Sequence, residues 1–325
     1  MLTRRDVLLG AGGAMLAARP LFAATQTLTA ADVHVTDYPT VEAVRWMGQM
    51  LERETQGRLA IHVYHSGQLG REGDTVDLAR FGALDLTRVN LAALNNAFPL
   101  TQVLSLPYVF DSTGHMRRAV DGPVGAEILA GFAARDLVGL AFYDSGARCF
   151  YNTRRAIHEP QDLKGLRIRV PPSDMFIGLV RSLGANPTPL SYGEVFSALQ
   201  TRLIDGAENN CRSFHSSRQF EVARHWADSA HSYSPEALLM SKRRFLGLAP
   251  ADQELVRETA RLSVPYMRAL WDKAEAESRA AVQKAGVEIT SVDRAAFEAA
   301  AAPLRNSYLA APALARLHRA IREVA

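Results

Sequence analysis

Arg169 is the residue in this chain best placed to do chemistry, and the chemistry is recognition of an acid group. A guanidinium presents a planar fork of donors that meets a carboxylate in two parallel bonds, so it fixes both charge and orientation. Arg169 lies in the stretch 163–210, LKGLRIRVPPSDMFIGLVRSLGANPTPLSYGEVFSALQTRLIDGAENN. There Leu166, Ile168 and Val170 alternate with Arg167 and Arg169, which predicts a strand with one apolar face and the arginines opposite. Pro171 and Pro172 then stop the ladder, because neither has a backbone N–H. The same spacing also suits a solvated arginine or an interdomain ion pair, the role read for Arg167. Asn209, at the end of a second short strand in Asp205-Gly-Ala-Glu-Asn209, offers an amide for hydrogen bonding, or merely turn chemistry. Arg148, in Gly146-Ala-Arg-Cys-Phe-Tyr-Asn152, is a second candidate cation or a surface charge at a strand end.

Bond-making chemistry has little support. The sequence holds no G-x-S-x-G elbow and no H-E-x-x-H pair, the motifs that would signal an acyl nucleophile or a zinc site. His62 and His65 are too poorly placed on one strand to make a metal pair. Gly10-Ala-Gly-Gly13 falls inside a targeting segment. No enzyme, metal or cofactor is expected.

The elements that must position these side chains follow from periodicity. Ser173 opens a helix that carries Met175, Phe176, Leu179, Val180 and Leu183 inward, and Gly184 closes it. Ser191-Tyr-Gly-Glu194 is a capping box for a second helix burying Val195, Ala198 and Leu199. Leu203-Ile204 begins the strand that leads to Asn209, so the stretch reads strand, helix, helix, strand. Upstream, strands at 27–35, 59–64 and 82–90 alternate with helices, a β-α-β-α-β order that implies parallel strands. His34, Glu72, Arg88 and Asn90 lie at the exits of those strands, where α/β sheets hold ligands. A helix is predicted over 113–135, a buried strand over 137–143, and a crossing into a second domain at 147–152. A helix follows over 213–226, Ala237 to Met240 form a return strand, and a long helix over 252–285 is kinked or split by Pro265. A strand at 287–290 and a helix capped by Asp293 complete the chain.

At 325 residues two domains are expected. The formal charge is +3, and residues 1–23 hold Arg4, Arg5, Asp6 and Arg19, a net +2, leaving +1. So thin a balance leaves no electrostatic footprint for nucleic acid. Residues 1–24 read as an export signal: Thr3-Arg4-Arg5-Asp6-Val7-Leu8-Leu9 resembles a twin-arginine motif, with a general secretory signal as the alternative. The only cysteines, Cys149 and Cys211, are expected to be unpaired core residues.

The words LRIRV, GANPTPLSYGEVFSALQ and DGAEN also resemble the substrate-binding subunit, of DctP type, of tripartite ATP-independent periplasmic (TRAP) transporters. The resemblance implies a type II-like periplasmic binding fold with crossing hinge strands and a long kinked helix. Its domains would be residues 25–145 plus 235–274 and residues 146–234 plus 275–325. It further implies that Arg169 holds a ligand carboxylate, that Arg148 and Asn209 complete its hydrogen bonds, and that His34, Glu72, Arg88 and Asn90 read the rest of the ligand. Phe150, Phe214, Tyr233 and Tyr38 would form walls, or else core. The Asp37-Tyr-Pro-Thr40 and Thr87-Arg-Val-Asn90 segments look most like relatives that bind sugar acids such as D-glucuronate or D-galacturonate, with C4-dicarboxylates or other hydroxy acids as alternatives. The expected protein is a periplasmic monomer that delivers its solute to membrane permease subunits. A periplasmic enzyme and a ligand-presenting sensory partner are the rival classes. Many relatives carry two prolines where this chain has Cys211-Arg212, so Arg212 is either a third pocket cation or points into water.

Overall fold

The computed structural model describes residues 25–325; the export signal read at 1–24 lies outside them. Two mixed sheets organise the chain. The first contains β1 (Gln26–Ala31), β2 (Leu59–Tyr64), β3 (Leu86–Asn90), β4 (Leu137–Tyr143) and β10 (Glu236–Ser241), in the order β2-β1-β3-β10-β4. The second contains β5 (Arg148–Asn152), β6 (Arg167–Val170), β7 (Asn186–Pro189), β8 (Gly206–Asn209), β9 (His225–Ser232) and β11 (Glu288–Thr290), in the order β11-β9-β5-β8-β6-β7. β1, β2 and β3 are parallel, whereas β10 runs antiparallel to both β3 and β4. Helices cover the sheets; one apolar cluster belongs to the first unit and one to the second, and a third, larger one runs across both.

The chain crosses between the sheets at 144–147 and again at 233–235, both times between strands. At the first crossing Gly146 has φ +63° and a Cβ there would lie 3.1 Å from the Trp271 ring, so a larger residue would be strained. The third link is the single helix Pro250–Lys284. Its first half packs Val256, Ala260 and Met267 into the first unit, and farther along Val282 enters the second. Pro265 lies within it without splitting it. The proline is exposed, so water can meet the carbonyl that it leaves without a donor.

Several sequence expectations change. Residues 186–189 are a strand, parallel to β6. It is the sheet's edge, where Pro187 and Pro189 cost no ladder hydrogen bond. The helix expected over 213–226 stops at Ser216, and 225–232 is β9, paired with β5 on one side and β11 on the other. His-Trp-Ala-Asp-Ser-Ala-His-Ser has weak strand propensity, so its neighbours impose the conformation. The helix expected over 113–135 breaks at Gly122-Pro123 into Thr113–Asp121 and Pro123–Gly131, because the residue before a proline avoids the helical region. The strand that carries Asn209 starts at Gly206, not at Leu203. Gly206 is needed there: a Cβ would stand 2.4 Å from Tyr151 O on β5. The C-terminal helix Pro312–Glu323 rests partly on first-unit helices, through Arg316–Glu127 and His115 Nε2 to Ile321 O.

Candidate ligand-binding site

The ends of both sheets face a cleft with two adjoining chambers. An outer chamber of about 360 Å³ lies between the 66–73 loop and Arg169, Pro171, Tyr192 and Glu194. The inner chamber is lined by His34, Glu72, Asn90 and Glu236 from the first unit and by Arg148, Arg169, Asn209 and Tyr192 from the second. Six of the residues predicted from sequence therefore meet in one place.

On the second-unit wall, β6 carries Arg169 up to the proline break and β8 carries Asn209 beside it. Arg169 is 3 % exposed. Its only side-chain hydrogen bond among the described residues is from Nε to Leu190 O at 2.8 Å, and it makes no ion pair there. Burial lowers its pKa, with Arg148 adding to the effect and Glu208 and Tyr151 opposing it. A guanidinium nevertheless stays protonated. The two Nη nitrogens thus form an unpaired fork at the chamber wall. Arg148 is differently held. Glu208 grips it through Nε–Oε2 at 2.6 Å and Nη2–Oε1 at 2.7 Å, and Nη1 donates to Asn209 Oδ1 at 3.2 Å. Because Asn209 Oδ1 also accepts from Asn210 N at 2.8 Å, its amide nitrogen is the part left to donate outward. Glu208 is in turn 3.3 Å from His231 Nε2, and His231 Nδ1 lies 3.0 Å from Ser229 Oγ. Burial would raise the Glu208 carboxyl, but Arg148 and His231 more than reverse that and leave it below the ordinary range. Arg167 is paired within its own unit and not across the units, with Asp205 at 2.9 Å.

The first-unit wall is built around Arg88, but not in the predicted way. Arg88 is fully buried and lines neither chamber. It bridges three carboxylates: Asp32, gripped through Nε and Nη2; Glu72, 3.1 Å from Nη1; and Glu236, 2.9 Å from Nη1. It holds Glu72 and Glu236 at the chamber wall from behind, out of reach of a ligand. Asn90 lines the chamber but is largely consumed by protein: Nδ2 donates to Ser145 and Ser234, and Oδ1 accepts from Ala92 N and Ser234 Oγ. His34 stacks on Tyr38 at 3.6 Å, with Nε2 3.7 Å from Glu236 Oε1 and a buried Nδ1 that has no protein partner.

Of the four aromatics read as walls or else core, Phe150, Phe214 and Tyr233 are core, and Tyr38 is buried behind His34. Phe150 stacks on His231 and Phe297, Phe214 packs on Tyr151 and Trp226, and Tyr233 lies edge-on to Phe110. A register shift in β5–β9 pairing falls between Arg148 and Phe150. The extra residues lie on β9, while β5 keeps a regular register with β8 from Cys149 to Asn152. Cys149 and Cys211 are buried and unpaired. Sequence reasoning missed Glu236, Glu208, Asp32 and Tyr192. Glu208 had a signal, since it stands beside Asn209 on the same short strand.

Glu236 gives this wall an acid-sensitive step. Burial would raise its carboxyl, but Arg88, helped by His34 and Ser145, outweighs it and holds it at about 2. A carboxyl depressed on folding stabilises the protein above its unfolded value of roughly 4.3, and that contribution is lost as pH falls from there toward 2. The expected loss is on the order of 2–3 kcal/mol. Melting temperatures of wild type and Glu236→Gln between pH 6 and 2.5 check it: the variant should fall less steeply below pH 4.5, and parallel curves would refute the assignment.

Residues 30–311 match the family model of the bacterial extracellular solute-binding proteins, family 7, DctP. A TRAP periplasmic solute-binding protein of Xanthobacter autotrophicus Py2, solved with bound β-D-galacturonate, is 47 % identical, with 91 % of this chain and 99 % of that one covered at a TM-score of 0.89. Its counterpart from Bradyrhizobium sp. BTAi1, in complex with α/β-D-galacturonate, is also 47 % identical, with 92 % and 100 % covered at 0.90. A third, from Roseobacter denitrificans with bound β-D-glucuronate, is 38 % identical, with 91 % and 99 % covered at 0.88. With the two-sheet fold and a cleft between its units, this chain belongs to family 7 of the bacterial extracellular solute-binding proteins, the DctP-type substrate-binding subunits of TRAP transporters.

Proposed function

We propose that this protein captures a sugar acid, D-galacturonate or D-glucuronate, in the cleft, shuts its two units on it, and hands it to the membrane subunits of a TRAP permease. It acts as a monomeric binding protein and not as an enzyme, after export to the periplasm by the twin-arginine route. The observation that carries this reading is the opposed charge of the two walls. Arg169 faces the chamber without a counter-charge, while Arg148 and Glu208 neutralise each other. Across the chamber one cation, Arg88, serves three carboxylates, Asp32, Glu72 and Glu236. A uronate matches both sides: its carboxylate meets the fork of Arg169 and the amide of Asn209, and its hydroxyls donate to Glu72 and Glu236. A C4-dicarboxylate would set its second acid group against like charge. The uronates bound in the three solved relatives point the same way. Ligand bridging both units stabilises the closed form through contacts that the open form lacks.

The test is a thermal-shift panel. Bound ligand raises stability by mass action, about 2.7 kcal/mol at a hundredfold excess over Kd, or on the order of 5–10 °C for a chain of this size. D-galacturonate or D-glucuronate should produce that shift, and succinate and malate should not. Equal shifts with the dicarboxylates, or none with either uronate, would overturn the reading.

A further inference from the structure

Arg212 is a cation that the binding site does not use. It stands on the second unit, at the start of the helix Cys211–Ser216, yet lines neither chamber of the cleft. Its side chain reaches the first unit instead. Nη2 donates to Asp37 O at 3.1 Å, and the guanidinium carbon lies 5.4 Å from the centre of the Tyr38 ring. Nε is buried and has no hydrogen-bond partner among the described residues, while Nη2 stays exposed. Tyr38 is held from the second unit a second time, by a 2.8 Å hydrogen bond between its hydroxyl and Ser213 Oγ. Its ring also stacks flat on His34, which lines the inner chamber. A line of contact therefore runs from Arg212 through Tyr38 and His34 to the ligand space, and its first link joins the two units.

We propose that Arg212 is a positioning residue for capture: acting through Tyr38, it clasps the units shut and holds His34 at the chamber without touching the ligand. The inference rests on the reading of the cleft as one that closes on its solute. Separating the sheets would pull Arg212 and Ser213 away from the turn at Asp37 and Tyr38, so the clasp belongs to the closed form. Interactions confined to the closed complex lengthen its lifetime more than they speed encounter. A partly exposed cation over a tyrosine ring, with one hydrogen bond, corresponds to about 3- to 30-fold.

Stopped-flow binding of whichever uronate shifts the wild-type melting point, measured on wild type, Arg212→Ala and Arg212→Lys, decides it. Arg212→Ala should raise the dissociation rate about 3- to 30-fold and leave the association rate within twofold. Arg212→Lys, which keeps a cation for the ring, should recover part of the loss. An arginine that merely supported the fold would lower the melting point of the ligand-free protein and leave the rate constants alone. An unchanged dissociation rate therefore overturns the proposal. Should wild type bind neither uronate, the function proposed above fails, and Arg212 is decided without ligand. Spin labels at Glu52→Cys and Gln200→Cys, both exposed positions on opposite units, then report the separation in ligand-free protein. Arg212→Ala should move the distribution to longer distances, and superimposable distributions would refute the clasp.

Discussion

Replacing Arg169 with alanine is expected to leave the fold standing and to weaken acid binding by roughly 30- to several-thousand-fold. Truncating one partner of a desolvated charge pair costs about 2–5 kcal/mol, which is that range of affinity. The fold is indifferent because β6 is held by its ladders to β7 and β8, not by this side chain. Deleting a buried guanidinium without a counter-charge also relieves a desolvation cost. The ligand-free variant should therefore melt at or above the wild-type temperature. Arg148→Ala should behave otherwise, lowering both affinity and melting point, since it leaves the buried Glu208 without the partner that now grips it at 2.6 Å. Arg169→Lys keeps the charge and loses the fork, so it should fall between wild type and alanine. Calorimetric titration with uronate, paired with a melting scan of each ligand-free variant, separates these cases. A loss below about fivefold for Arg169→Ala would remove it as the acid anchor.

Arg169 could be read from sequence because two local rules converge on it. Alternation put it opposite an apolar face, and the Pro171-Pro172 stop put it at a strand end. The helix after it and the capping box at Ser191 and Glu194 were equally local and form as expected. What lay hidden was everything set by pairing between distant segments. β7 and β9 have sequences that no propensity favours as strands, and they are strands because the sheet supplies their partners. Arg88 was recognisable as a polar residue at a strand exit, but not its capture by Asp32, Glu72 and Glu236, which arrive from three separate elements. The aromatics failed for a related reason. Phe150 is core because it stacks on His231 of the distant β9, and no local pattern in 148–152 announces that partner.

Arg88→Met should be the most destabilising single change in the site, by about 3–5 kcal/mol, the range for stripping a buried ion pair of one partner. Met matches the volume and apolar stem of arginine but leaves Asp32 and Glu236, both almost fully buried, to repel each other and Glu72. On a chain of this size that corresponds to a fall in melting temperature on the order of 10 °C. The sign of its pH dependence is the sharper check. Glu72 already has a raised pKa, from burial and from the nearby Glu236, with Arg88 and the Asn90 N–H opposing the rise. Without Arg88, the folded-state pKa values of Glu72 and Glu236 move above their unfolded values. Each such carboxyl then prefers to fold with its proton on, so stability is present at low pH and is lost as pH rises through the new folded values. The deficit of Arg88→Met relative to wild type should accordingly be larger at pH 7.5 than at pH 5, the reverse of the acid lability expected for wild-type Glu236. Adding Asp32→Asn to Arg88→Met should return part of the loss at pH 7.5 by removing one orphaned charge. A deficit that is below about 1 kcal/mol, or independent of pH, would mean that the three carboxylates do not depend on Arg88, and the negative wall opposite Arg169 would need another origin.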